Sequence, residues 1–356
     1  MNRYELRIEN VQKQLKPGEA CFVLQKEDVS YLTGFTGDSS YLFIAPGYVS
    51  FITDGRFTQQ FREETQIEAE LIEIGPGKSL SAVMTSLTAV HSVKNLLIDP
   101  EDITVALMRK FETALPALHY KFCDIVKAMR MYKDEIEIET IRRNIRITEL
   151  GYHYIIREVA EGRSELEIAA ELEHYLKVHG AENMSFETIC ASGARSALPH
   201  GRAGTKKVAD GEVVLFDFGI LKDGYCSDFT RCYYFGKILS SEFEKIKNIV
   251  LEALKAGEAA VKPGIPAKAV HQAVYSVIER AGYAEYFTHS TGHGVGMQVH
   301  EAPRIGANSE TILSEGMVFT VEPGIYLPGK GGIRLEDIVT VRKNGCEVLT
   351  STSYDL

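Results

Sequence analysis

Four carboxylates stand where apolar side chains would be expected. The segment 213–235, VVLFDFGILKDGYCSDFTRCYYF, carries Asp217 and Asp228 in two strand-like runs on either side of a turn. Both aspartates are equidistant from a turn centred between Lys222 and Asp223. A regular hairpin would set them opposite each other on one face, with Cβ atoms roughly 5 Å apart. The device recurs in GMVFTVEPGIYLPGKGGIRLEDIVTV, where Glu322 and Glu336 flank a midpoint at Gly329.

Like charges directly opposed weaken a ladder. A buried carboxylate with no partner costs several kcal/mol or takes up a proton instead. Strand alternation puts Arg231 on the face away from Asp228, while Arg334 shares the face of Glu336 and can serve one carboxylate rather than four. Taken alone, Asp217 reads as an ordinary salt-bridged strand residue. The recurrence of the acidic pair asks for a pair of divalent cations.

His293, between two glycines in STGHGVGMQVHEAP, supplies the imidazole that would complete the set, and His300 follows in the same stretch. Oxygen-rich ligation with one imidazole suits Mn(II), Co(II) or Fe(II) better than structural zinc, which prefers Cys and His. The chemistry expected of such a pair is hydrolysis, with a bridging water held as hydroxide near neutral pH and a carbonyl polarised. GHGVG fits neither G-x-G-x-x-G nor the Walker A pattern, which counts against nucleotide binding.

The elements that must hold these residues are legible in outline. With 356 residues the chain is long for one domain. Residues 1–128 alternate short apolar runs, ACFVLQ, YLFIAP, YVSFITD and NLLIDP, with the helix-like SLSAVMTSL and ITVALMRKFETAL. That texture predicts a small α/β domain. From residue 129 the pattern changes to long charged helices, with Ile138, Ile141, Ile145, Thr148 and Tyr152 at helical spacing. Residues 129–356 predict an α+β domain with internal pseudo-symmetry. Helix pairs ending near Gly162 and Gly180 recur at Gly264 and Gly282, each displaced by 102 residues and each followed by a hairpin.

A net charge of −10 argues against a nucleic-acid or anionic-membrane partner. The six cysteines form no C-x-x-C pair and read as buried thiols of a reducing compartment. No signal-like h-region or run of eighteen apolar residues is present, so the expected address is the cytoplasm.

The set FDFG, CSDFTR, STGHGVGMQVHEAP, VEPGIY and RLEDIVTV resembles the metallopeptidases that include prolidases, aminopeptidases P and methionine aminopeptidases, with the pita-bread fold. YLTGFTGDSSYLFIAP and FITDGRFTQQ resemble the creatinase-like domain that precedes the catalytic domain in prolidases. The resemblance covers nearly the whole chain and is nearest to the Xaa-Pro dipeptidases. It implies five metal ligands, Asp217, Asp228, His293, Glu322 and Glu336. Asp228 and Glu336 would bridge two ions, Asp217 would bind one, and His293 with Glu322 the other. The carboxylate-rich set makes manganese the first choice, with cobalt or zinc as alternatives, and the resemblance implies a homodimer built partly by the N-terminal domain. It also implies substrate contacts from His200 and His300 and a proline pocket lined by Phe186 and Ile189.

The reaction expected is hydrolysis of the bond before a proline in second position. That bond is a tertiary amide with no N–H, so a pocket must grip the ring instead. Glu322 would move the proton, His200 and His300 would donate to the developing oxyanion, and Arg304 would clamp the carboxylate of a dipeptide. The alternatives are an aminopeptidase P acting on longer peptides, or a binding protein that kept the fold and lost the chemistry.

Overall fold

A computed structural model of the protein describes residues 2–236 and 240–355. The chain divides into two compact units, Met1–Arg130 and Met131–Leu356.

The first unit is built on one mixed sheet. Its strands are β1 (Glu19–Val23), β2 (Ser40–Ala45), β3 (Tyr48–Asp54), β4 (Glu70–Ile74), β5 (Asn95–Ile98) and β6 (His119–Phe122), in the spatial order β4-β3-β2-β1-β5-β6. β2 is antiparallel to both β1 and β3, and the outer pairings are parallel. The four apolar runs are β1, β2, β3 and β5, buried almost throughout. β4 and β6 escape the eye because they are short edge strands: β4 carries Glu70 and Glu73, and β6 reads His-Tyr-Lys-Phe. Phe22, Phe43, Ile52, Met84, Leu96 and Phe111 form the core between the sheet and the helices Leu80–Val90 and Val105–Ala114.

The second unit is organised by two helix pairs. The helix Glu135–Glu158 starts at a capping box in which Asp134 and Glu137 satisfy each other's backbone N–H. Its predicted stripe of Ile138, Ile141, Ile145, Thr148 and Tyr152 is buried. The helix Glu165–Val178 follows from a second capping box, Ser164 with Glu167. The other pair is Ser241–Ala260 and Ala267–Arg280. Glu158 to Ala260, Glu165 to Ala267 and Val178 to Arg280 are each 102 residues apart. Gly162 and Gly264 follow the first helix of each pair at φ 84° and 86°, where a side chain would be strained. The repeat is therefore present in the fold.

Each helix pair covers a β layer. The first packs Ile155, Ile168, Leu172 and Leu176 on Val214, Phe216, Phe218 and Phe229. The second packs Ile246, Val250, Val270 and Val274 on Phe319, Val321, Ile325 and Val339. The strands beneath the first pair are β7 (Asn183–Met184), β8 (Ile189–Ser192), β9 (Glu212–Asp217), β10 (Ile220–Lys222), β11 (Tyr225–Cys226) and β12 (Thr230–Phe235). Those of the second half are β13 (Gly292–Gly294), β14 (Glu301–Ile305), β15 (Val318–Val321), β16 (Gly324–Leu327), β17 (Gly331–Arg334), β18 (Asp337–Arg342) and β19 (Gly345–Val348). β9 has one face, Val214 and Phe216, under the first helix pair, and the other, Val213 and Leu215, in the larger core. A strand covered on both faces reads as a continuous apolar run. Asp217 is the last residue of that strand, on the face of Val213 and Leu215.

The first ribbon departs from its expected register. Lys222 pairs with Tyr225 around the two-residue loop Asp223-Gly224, whose φ values of 51° and 76° suit a type I′ turn. The turn therefore centres one residue later than expected, and Asp217 faces Thr230 rather than Asp228. Asp228 is the diagonal neighbour of Asp217, two residues along the same face. The second ribbon keeps its expected register. Val321 pairs with Asp337 and Gly324 with Arg334, so Glu322 and Glu336 fall at matching positions where β15/β18 passes into β16/β17.

Candidate metal centre

One ligand oxygen from each of Asp217, Asp228 and Glu336 lies within 4.8 Å of the other two. Asp228 and Glu336 are buried, Asp217 partly so. Glu336 bridges the two ribbons: its N–H donates to Thr230 O at 3.3 Å, and its Oε2 accepts from Thr230 Oγ1 at 2.7 Å. Its other oxygen, Oε1, is buried and has no hydrogen-bond partner. An orphaned anionic oxygen beside two further carboxylates is what a cation would satisfy.

Glu322 joins this group through His293. The His293 Nε2 atom lies 3.5 Å from Asp228 Oδ2 and 3.4 Å from Glu322 Oε1. Its Nδ1 is 3.2 Å from Gly294 O, and donation there assigns the proton to Nδ1 and leaves the Nε2 lone pair facing the carboxylates. Burial, reinforced by His300, lowers the His293 pKa to about 4, so the ring is neutral. A neutral nitrogen lone pair aimed at two carboxylates is repulsive unless a cation or a carboxyl proton lies between them. The glycines beside His293 are positions of close approach rather than of open space: a Cβ on Gly292 would stand 1.9 Å from Thr320 O, and one on Gly294 would stand 2.2 Å from Ala302 O. They let the histidine strand run tightly between β14 and β15. Thr320 Oγ1 accepts from the His293 N–H at 3.1 Å and donates to Glu322 Oε1 at 3.2 Å, tying those two side chains together.

Burial raises Asp228, and the charges of Glu336, Asp217 and Glu322 push it further. Glu336 is raised by burial and by Glu322 and Asp217. Glu322 is raised to about 8, mainly by burial, with Asp217 adding and Arg334 opposing. Without cations the cluster therefore holds protons at neutral pH. Bound cations would displace them.

Arg334 is the one guanidinium inside the cluster, among the described residues. It makes a close ion pair with Asp217, although its sequence position suggested Glu336 as the partner. Its other N–H groups reach Thr230 Oγ1 at 3.2 Å, Pro199 O at 3.1 Å and Tyr326 Oη at 2.9 Å. Tyr326 Oη is 2.8 Å from His289 Nε2, and His289 Nδ1 is 2.7 Å from Ser290 O. The chain of donors is consistent: Nδ1–H to carbonyl, Tyr326 O–H to Nε2, Arg334 to Tyr326. Burial and the nearby Arg334 charge lower His289 to about 4, which keeps the ring neutral for that role. Thr230, Thr320, Tyr326 and His289 were not singled out in the sequence. His289 is a bend residue ahead of β13, so strand alternation gave no signal for it.

The remaining candidates fall around this cluster. The rings of His293 and His300 meet edge to face at 4.1 Å. His200 is exposed, and its charge helps lower both His289 and His300. Arg304 pairs directly with His293 across β13 and β14, so it shares that face, and it is exposed. Ile189 pairs with Asp217 and packs into the large core. Phe186 is half-buried ahead of β8.

Residues 139–343 match the metallopeptidase family M24, and residues 7–132 match the creatinase/prolidase N-terminal domain. The chain belongs to metallopeptidase family M24. It is 45% identical over 340 residues to a Xaa-Pro dipeptidase of Pyrococcus horikoshii, covering 95% of this chain and 94% of that one. The solved Xaa-Pro dipeptidase from Bacillus anthracis superposes with a TM-score of 0.94 at 32% identity, covering 99% of both chains. An X-Pro aminopeptidase from Thermotoga maritima superposes at 0.89 with 37% identity, covering 97% of this chain and 99% of that one. Membership of M24 makes the chain a metal-dependent peptidase. It upholds the pita-bread reading of the catalytic fold, preceded by a creatinase-like domain. It also counts against the expectation of a binding protein without chemistry. The donor set fits divalent cations, since it is carboxylate-rich, contains a neutral imidazole and includes an unsatisfied Glu336 oxygen.

Proposed function

We propose that this M24 peptidase hydrolyses the Xaa-Pro bond of dipeptides. The relatives named Xaa-Pro dipeptidase support the bond class. The observation that carries the dipeptide preference is Arg304, which shares the His293 face and is exposed to receive a substrate carboxylate in bidentate fashion. Asp217, Asp228, His293, Glu322 and Glu336 hold two divalent ions, manganese by preference. Cobalt also suits such a set, and zinc is the remaining alternative. Such ions, when bound, acidify coordinated water and polarise a carbonyl.

The chain's own groups do the rest. Glu322 takes a proton from the attacking water and delivers it to the departing proline nitrogen. His200 and His300 donate hydrogen bonds to the oxyanion, and losing one such donor costs about 2.7–4 kcal/mol. Thr320 holds Glu322 and His293 in register. Phe186 and Ile189 line the proline pocket. Residues 1–128 form the N-terminal domain of a cytoplasmic homodimer, and residues 129–356 form the catalytic domain.

The test is a hydrolysis panel of Ala-Pro, Ala-Pro-Ala and Ala-Ala-Ala after chelation and reloading with Mn(II), Co(II) or Zn(II). Cleavage of Ala-Pro alone is expected. The similarity to the Thermotoga maritima X-Pro aminopeptidase supports a second reading, in which Ala-Pro-Ala is cleaved at least as fast. Cleavage of Ala-Ala-Ala at equal rate would remove the proline pocket.

A further inference from the structure

Arg231 is among the largest fully buried side chains, 1% exposed, and it lies on the far face of β12 from Thr230 and Asp228. Its Nη1 donates to Thr230 O at 3.0 Å and to the carbonyl of Glu336. Its Nη2 donates to Asp337 Oδ1 and to Thr352 O, both at 2.9 Å, and its Nε to Ser353 O at 3.3 Å. One guanidinium thus joins the two ligand-bearing ribbons to the segment Ser351–Tyr354. The segment is anchored at both ends. Near its start, Glu149 of the helix Glu135–Glu158 accepts from Thr352 N at 2.6 Å and from Ser351 Oγ at 2.7 Å. At its end, Tyr354 donates its O–H to Asp337 Oδ2 at 2.6 Å and stacks its ring 4.7 Å from the Arg231 guanidinium.

A buried ion pair such as Arg231–Asp337 gains little net stability over an apolar filling, because both charges lose their water. Its effect here is geometric. The Glu336 carbonyl is held from behind by Arg231, while the Glu336 carboxylate is held in front by the Thr230 hydroxyl. Both restraints come from adjacent residues of one strand.

We propose that the Ser351–Tyr354 strap, acting through Asp337 and Arg231, is a positioning device that aims Glu336 at the cations it would hold. The strap bonds to Arg231, Asp337 and Glu149, none of them among the five ligand side chains, so its residues are positioning residues. The inference rests on the metal reading given above.

The test is equilibrium dialysis of chelated protein against Mn(II), with thermal unfolding of the metal-free protein measured in parallel. Tyr354→Phe keeps the ring and removes the hydrogen bond to Asp337. Glu149→Gln loosens the other end. Each is expected to weaken Mn(II) binding about tenfold, the lower end of the range for outer partners of metal ligands. The double variant is expected to lose little more than the worse single one, since both act through one strap. Unchanged Mn(II) affinity with a lowered melting temperature makes the strap merely structural and overturns the proposal, as do fully additive losses. Wild-type protein that binds none of Mn(II), Co(II) or Zn(II) overturns the metal reading and the proposal with it. Wild-type protein that binds while Tyr354→Phe matches it overturns the proposal alone.

Discussion

Both units bury carboxylates, and they treat them in opposite ways. In the N-terminal unit Asp28 is 2% exposed and meets Arg130, 3% exposed, at 2.7 Å. There a buried anion has a buried cation in direct contact. In the catalytic unit Asp228, Glu322 and Glu336 share a neighbourhood with Asp217, and among the described residues Arg334 makes its ion pair with Asp217. Burial raises Asp28 to about 6, with Arg130 opposing, whereas for Asp228 the next causes after burial are three further carboxylates. A matched pair closes a structure. An unmatched cluster is a site awaiting external charge.

The contrast can be broken by substitution. Glu322→Gln should lower kcat for Ala-Pro by about 10²–10⁴-fold, with the far-ultraviolet circular dichroism unchanged. Activity near wild type would remove Glu322 from proton transfer. Asp28→Asn should do the reverse. It removes the buried carboxylate that Arg130 meets and should cost about 3–5 kcal/mol in denaturant unfolding, while Mn(II) stoichiometry stays that of the wild type. Loss of metal with Asp28 would merge two roles that the structure keeps apart. Arg304→Met should raise KM for Ala-Pro by about 10–100-fold, from a lost charged hydrogen bond worth about 1.5–3 kcal/mol, and should affect Ala-Pro-Ala less. Equal effects on both substrates would end the clamp.

Proton linkage gives the smallest and most graded difference. A carboxyl whose folded pKa is raised contributes stability that is complete below its unfolded value and is lost as pH rises through the folded one. Asp228, Glu322 and Glu336 are all raised, Glu322 to about 8. The metal-free protein should therefore lose stability as pH climbs from about 4.5 toward 8. Saturating Mn(II) should suppress that loss. The part owed to Asp28 has the same sign, is complete near pH 6–7, and should be indifferent to metal. Identical pH–stability curves with and without metal would contradict the cluster's role.

The catalytic ribbons were legible because buried acids in apolar strands violate the usual pattern, and the violation repeats. Helix ends and the 102-residue offset were legible because caps and terminal glycines are local chemistry. The register of the first ribbon was not. Lys222, Asp223 and Gly224 all suit a turn, and only the choice of Asp223-Gly224 for the positive-φ pair moves Asp217 from Asp228 to Thr230. The Arg334–Asp217 pair and the Tyr326–His289 chain join residues far apart in sequence, and composition carries no trace of that. β4 and β6 stayed hidden because edge strands need bury only one side.

The most direct measurement is an anomalous difference map from crystals grown with Mn(II). Two peaks are expected, both touching Asp228 and Glu336, one also reached by Asp217 and the other by His293 and Glu322. A map without peaks among these five side chains, with Arg334 as the sole counter-charge, would contradict the metal centre and the peptidase chemistry derived from it.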